Sequence, residues 1–368
     1  MTARKRERPR PHAATLMRVV IVASAVAMAV IPLPQALVET VYSRGTYPVI
    51  RQLVTGLTSL TSLVLFDLLL VGGVVTLLAW WMWRLTRAPR GGRSRVLASL
   101  TAQTLVCAAA LYLVFLGVWG LNYRRESLAA RLGYTASRVT DPVLETLTVA
   151  AIEKLNRLYD ATQERAWPRL DELPVRAGAA FERVQLRLGV SPAMAGLVPK
   201  RSLLTPYFRR AGIDGMVDPF FLQVLVNDTV LPFERPFVTV HEWAHVAGFA
   251  HEAEANFVAW LTCLEGEASM RYSAWSFLVP RLLAALPDEA QQRLGAALGP
   301  GPRADFAAVR ARLSRTIPVV QRNARRLNDR YLKANRVASG VASYGEVLQL
   351  AVGTDLGRRQ WSEEVGLE

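Results

Sequence analysis

Residues 241–256 read HEWAHVAGFAHEAEAN, and this stretch decides both the local fold and the chemistry the chain can support. His241 and His245 stand four apart, so a helix places them on one face in successive turns, where both can reach a single ion. Glu242 is carried beside them, where its carboxylate can take a proton from a water at that ion. The chain has four histidines (His12, His241, His245 and His251), and three of them fall in this stretch. With histidine so scarce, chance yields an HExxH in only on the order of a few per thousand such chains.

A catalytic zinc takes three protein ligands and keeps a fourth position open. The third ligand is to be chosen from His251, Glu252 and Glu254. His251 completes HExxHxxGxxH, the metzincin spacing with a turn at Gly248. Against it, the pattern turns helical again at Glu252, and a Met-turn is not clearly present, Met270 being its weak candidate. A helical hairpin is the other solution. If the chain folds back about Gly248–Phe249, Glu252 lies opposite His245, and Asn256 lies opposite His241. Glu252 then ligates, and Asn256 can hydrogen-bond a ligand histidine from behind. Moving the turn by one residue favours Glu254 instead. The two glutamates are about 200° apart around a helix, so one ion takes one of them.

Outward from the stretch, Pro232 and Pro236 punctuate the entry to the first helix, and Glu252–Leu264 reads as the second. Residues 197–235 are rich in Pro, Gly and β-branched residues, with a strand expected over Phe220–Val226 that can bind substrate backbone by strand addition. Helical spacing runs through Val143, Leu144, Leu147, Ala151, Ile152, Leu155 and Leu158, behind Asp141 and Pro142, and a further helix is expected over Glu172–Leu188. Ser273–Leu356 reads as mostly helical, with breaks at Pro280, Pro287, the glycine-flanked Pro300 and Gly340.

The first 120 residues have a different character. Apolar runs at about 16–37, 57–83 and 96–119 are each long enough to cross a bilayer as a helix, which takes about 20 residues. The first lacks a convincing small-x-small cleavage site, so it reads as a retained span rather than a signal peptide. Asp67 is the one charge inside a span, expected in a structural or interfacial role. Trp119 and Tyr123 are placed as interfacial aromatics. The expected fold is mainly α: three transmembrane helices in a membrane anchor (1–120), then a mostly helical zincin-like domain with a short β element (121–368).

The net charge of +14 suggests nucleic acid until its distribution is read. Arg4, Lys5, Arg6, Arg8, Arg10 and Arg18 precede or open the first span, and Arg84, Arg87, Arg90, Arg93 and Arg95 crowd the loop between the second and third. Basic residues in short loops mark the cytoplasmic side. The expected placement is therefore a multi-pass protein of the cytoplasmic membrane, with a cytoplasmic N-terminus and an extracytoplasmic catalytic domain. Its partners are the lipid bilayer and a protein or peptide substrate, not nucleic acid; the oligomeric state is not legible. Cys107 and Cys263 have no plausible disulfide partner and read as packing residues.

The runs HEWAHVAGFAHEAEANFVAWLTC, WGLNYRR and YLKANRVASGVASYGEVLQL resemble the bacterial family catalogued as domain of unknown function 3810. The resemblance implies a membrane-anchored, zincin-like protein. That family usually carries a basic residue where this chain has His251, which counts against His251 as a ligand. The EAEAN pattern also looks like the glutamate helix of gluzincins, in which a carboxylate ligand and a polar residue four positions later occur together. The function these readings imply is a zinc-dependent metallopeptidase, with Zn2+ on His241, His245 and Glu252 (or Glu254 or His251) and Glu242 as general base. Tyr344, Arg336 and Lys333 are candidate oxyanion stabilisers. The alternative is a non-catalytic zinc-binding membrane sensor or scaffold. Intramembrane proteolysis fits poorly, because residues 236–264 carry too many charged and imidazole groups for a lipid-facing segment.

Overall fold

The computed structural model describes residues 11–163, 166–337 and 346–365. The fold is mainly helical, with three candidate membrane-spanning helices near the N-terminus and one small β-hairpin in an otherwise helical domain. The spans lie at Ala13–Val30, within helix α1 (Pro11–Val30), at Leu65–Thr86 and at Arg90–Val118. They make this a multi-pass membrane protein by length and composition. The first span stops well short of residue 37, because the chain leaves the helix at Ile31 and meets Pro32 and Pro34, which supply no backbone N–H. The second begins at Leu65 rather than 57. Residues 47–59 belong to a separate helix, α2 (Tyr47–Ser59), and a short turn follows it before the span, whose regular part is α3 (Gly73–Thr86). The third span is carried by α4 (Arg93–Val118).

Asp67, at the first turn of the second span, is buried and accepts hydrogen bonds from Ser202 Oγ (2.6 Å) and the Leu203 backbone N–H (2.7 Å). Its charge is satisfied by the helical domain, so it is a structural tie at the membrane boundary.

Beyond the spans, α5 (Asp141–Gln163) opens with Pro142 in its first turn and buries Leu144, Leu147, Ala151, Ile152, Leu155 and Leu158; Val143 stays exposed. α6 (Leu173–Arg187) matches its expected helix. The hairpin is β1 (Gly215–Val217) paired antiparallel with β2 (Val224–Val226), Gly215 opposite Val226. The expected strand over Phe220–Val226 is thus only half formed. The Asp218 carboxylate accepts the N–H groups of Phe220, Phe221 and Gln223 and folds that segment into the turn, with Leu222 at positive φ. β2 is flanked on its other side by Lys200, so that among the described residues β1 is the edge of the hairpin with no strand beside it.

The two helices of the quoted stretch are α7 (Arg235–Val246) and α8 (Glu252–Leu264). Pro236 sits in the first turn of α7, where a missing N–H costs nothing. Gly248 takes φ +98°, which lets the chain reverse without a Cβ penalty. α8 is buried almost throughout and packs against α7, α6 and α9 (Ala268–Ala284). α9 also packs along α5, and runs straight through Pro280 rather than breaking there. The proline ring is on the exposed side, while Leu278, Val279 and Leu282 bury both halves of the helix in the same core. Helix α10 (Pro318–Ala334) follows later in the chain. Gly340 lies outside the described residues.

One hydrophobic core extends across residue 120. Val38, Tyr42, Tyr47, Phe115, Leu116 and Trp119 belong to the same buried cluster as Trp243, Trp260 and Trp275. Trp119 and Tyr123 accordingly do not face headgroups. They are buried, packed edge to face, and form the seam between the third span and the α7–α8 hairpin.

Candidate metal centre

α7 presents His241 and His245 from successive turns, and the reversal at Gly248 brings the first residue of α8, Glu252, against both. His241 Nε2 and His245 Nε2 are 3.1 Å apart, and Glu252 Oε2 lies 3.3 Å from the first and 3.6 Å from the second. Two Zn–N bonds and one Zn–O bond of roughly 2.0–2.2 Å at tetrahedral angles put their donor atoms about 3.3 Å apart, so this triangle has the size zinc requires. The donor set fits as well. His245 Nδ1 faces the Phe249 carbonyl at 2.8 Å, which makes it an N–H and leaves Nε2 as the ring atom turned to Glu252. Two ring nitrogens converging on a buried carboxylate oxygen call for a positive charge among them, a proton or a metal ion. Among the described residues, Glu252 Oε2 accepts no hydrogen bond of good geometry. The side chains retain 14%, 10% and 11% exposure for His241, His245 and Glu252, so the cluster is reachable from solvent rather than sealed.

The electrostatics follow from this packing. Burial disfavours the His245 imidazolium, but the Glu252 carboxylate beside it more than reverses this and pushes the ring up to about 9. Burial holds His241 below its ordinary value. Burial would raise Glu252, yet the two imidazoles hold it well below the usual carboxylate range. Burial pushes Glu242 the other way, up to about 8, with Glu252 and Asp214 adding to the rise. Two neighbouring carboxylates are thereby separated, Glu252 held in its anionic form and Glu242 raised toward neutrality. Glu242 lies against the start of β1. A Cβ on Gly215 would stand 2.5 Å from its Oε1, so only glycine lets the strand approach this closely.

The remaining candidates are placed elsewhere. Glu254 is buried and turned away, its Oε1 accepting the Leu128 N–H at 2.6 Å. His251 stands just before α8 with its ring against Tyr123, outside the cluster. Asn256 is buried one turn beyond Glu252, and its Nδ2, like His241 Nδ1, has no hydrogen-bond partner among the described residues. Lys333 pairs with Asp329 on the same helix, and Arg336 donates to the Ala29 and Ile31 carbonyls at the end of the first span. Tyr344 lies outside the described residues.

The structure adds groups that sequence reading passed over. Tyr331, on α10, shares a hydrogen bond with Tyr123 and lies within electrostatic range of Glu252. It opens the YLKANR run, but nothing local marks a tyrosine some eighty residues downstream as a neighbour of the site. Arg281 stands over the Phe277 ring at 3.5 Å and acts on His241 through its charge; burial pulls it down to about 10. The end of α7 is held from the membrane side: Trp119 Nε1 donates to the His245 carbonyl (2.9 Å), Tyr47 Oη to Val246 (2.6 Å) and Arg125 Nη1 to Gly248 (3.0 Å). These carbonyls lie at and just past the end of α7, where intrahelical pairing runs out, and the membrane-proximal segments supply donors to them. Arg125 is itself fixed by Glu39 in a bidentate pair (2.8 and 2.9 Å), joined by Arg44 and Arg131.

No curated protein and no solved structure matches the chain. A family model does match over residues 42–352, from the segment before α2 to just before the last described helix (Asp355–Val365), and it spans the whole of the metal-centre geometry described above: the protein belongs to the family described as a protein of unknown function, DUF3810.

Proposed function

We propose that the protein is a membrane-anchored zinc metallopeptidase of gluzincin-like arrangement. The observation that carries the reading is the zinc-sized triangle of His241, His245 and Glu252 with Glu242 beside it. In this reading the three residues hold one zinc, which when bound supplies Lewis acidity for a scissile carbonyl and acidifies water. Glu242 takes the proton of the attacking water and passes it to the leaving amine, a role suited to a carboxyl that burial has raised. Tyr331 and Arg281, coupled electrostatically to Glu252 and His241, are the candidates to meet negative charge developing on the carbonyl oxygen. β1, whose face at Gly215 lies against Glu242, offers the backbone N–H and C=O groups of its edge away from β2 to an extended peptide. The catalytic domain, from about residue 121 onward, is assigned to the extracytoplasmic side on the arginines of the loop between the second and third spans. A reporter fused after Glu368 checks this by its location.

The test is a comparison of newly formed peptide termini in cells carrying wild type or Glu242→Gln. The peptidase reading predicts termini that vanish in the variant while zinc stays bound. Unchanged termini and an intact cellular phenotype in Glu242→Gln would point instead to a zinc-bound sensor or scaffold.

A further inference from the structure

The segment between the first two spans has a face that the helical domain leaves uncovered. On α2 and the turn after it, Val49, Leu53, Leu57, Leu60 and Leu63 are all exposed, from 58% at Val49 to 84% at Leu60. Val49, Leu53, Leu57 and Leu60 follow helical spacing and fall on one side. The opposite side is anchored: Tyr47 and Thr58 are buried, and Arg51 donates to the Pro192 carbonyl. Arg51 is the only charged residue among positions 47–63, so the exposed face carries no charge at all.

The domain extends this face. Lys200 Nζ donates to the carbonyls of Thr58 and Thr61, both at 2.7 Å, and the Leu203 N–H donates to Asp67 at the first turn of the second span. These ties bring Val198 and Leu203, 53% and 71% exposed, alongside the stripe. The chain enters this surface after the first span and leaves it into the second at Leu65. An uncharged apolar stripe of this kind is unfavourable in water, and the spans on both sides already fix its height at the bilayer.

We propose that α2, with Leu60, Leu63, Val198 and Leu203, is seated in the lipid leaflet on the domain's side of the membrane. α2 lies in the membrane plane, its apolar face entering the headgroup–acyl boundary by about 5–10 Å. The occupant of the surface is lipid, argued from its continuity with the flanking spans and the lack of charge along the exposed face of α2, with exposed Arg201, between Val198 and Leu203, at the headgroup side. The seat also bears on the metal centre, because Tyr47, the first residue of α2, holds the Val246 carbonyl at the end of α7.

The experiment uses the full-length protein in liposomes, carrying Cys107→Ala so that the exposed cysteine on the third span takes no label; Cys263 is buried. An environment-sensitive fluorophore is attached singly at Leu57→Cys, Leu53→Cys, Leu203→Cys or, as a control, Val175→Cys. Val175 is 87% exposed beside the Arg176–Glu267 pair, near the end of α8 remote from Glu252. The native positions are exposed, so none of the four labels disturbs the core. The proposal predicts blue-shifted emission at 53, 57 and 203 and loss of most of that signal when acyl-chain nitroxide lipids are included, with position 175 quenched only by an aqueous collider. Equal aqueous quenching at 57, 203 and 175 would overturn it. So would a blue shift at 57 and 203 that lipid nitroxides leave untouched, since a second copy or another protein would then cover the face.

Discussion

Replacing Gly215 by alanine tests the placement of Glu242 without touching a ligand. The added Cβ would stand 2.5 Å from Glu242 Oε1, 2.9 Å from its Cγ and 3.0 Å from its Cδ. To reach an ordinary contact of 3.4 Å the carboxylate must retreat by about 0.9 Å. A misplacement of about 1 Å in a reacting group can cost on the order of a hundredfold in rate. The fold should tolerate the change, at about 1–3 kcal/mol for local overpacking. Gly215 sits in a strand with no positive φ, so alanine adds no backbone strain. The assay is hydrolysis of a quenched-fluorescent peptide mixture by the full chain in liposomes, read beside zinc content. Gly215→Ala should lose about a hundredfold in kcat/KM while binding zinc as wild type does, with Glu242→Gln lower still. Wild-type turnover in a folded Gly215→Ala protein would refute the reasoning, and loss of zinc would show that the strand acts through the ligands instead.

Other consequences can be read from the same contacts. Tyr47→Phe removes the hydroxyl that donates to the Val246 carbonyl and should lower stability by about 1–3 kcal/mol, seen as a reduced Tm in detergent. Glu254→Ala leaves the Leu128 N–H without its acceptor and should destabilise the fold while leaving zinc in place, whereas His251→Ala should change zinc content little. Burial alone would raise Glu39, but Arg125, Arg44 and Arg131 hold it below its ordinary 4.5. Its folded value being depressed, the stability it contributes is present above about pH 4.5 and is lost as pH falls through the folded value. Thermal melts of wild type should therefore fall more steeply in acid than those of Glu39→Gln, which starts lower at neutral pH.

The α7–α8 pair was legible because its signals are local. Histidines four apart, a proline in the first turn and a glycine at the reversal each act within a few residues. Choosing among Glu252, Glu254 and His251 was not, because it depends on which carboxylate is already engaged. Glu254 is committed to Leu128, more than a hundred residues away, and no spacing rule reports that. The second span was drawn too long for a related reason. Hydropathy registers that Leu57, Leu60 and Leu63 are apolar, and cannot separate a distinct helix and the turn after it from the helix that crosses. Trp119 and Tyr123 have the composition of headgroup anchors, but their actual neighbours, His245 and His251, come from far along the chain. Pro280 breaks a helix by local rules, and burial on both sides of it overrides them. Tyr331 and Arg281 act on the site electrostatically from separate helices and leave no trace near the histidines.

The most direct measurement is the zinc content of the purified full-length protein and its Glu252→Ala variant, by elemental analysis after dialysis against a weak chelator. The account predicts one zinc per wild-type chain and its loss in Glu252→Ala, with Glu242→Gln still loaded. A wild-type chain that takes up no zinc when offered it, or a Glu252→Ala protein that holds zinc as tightly as wild type, would contradict the centre built from His241, His245 and Glu252.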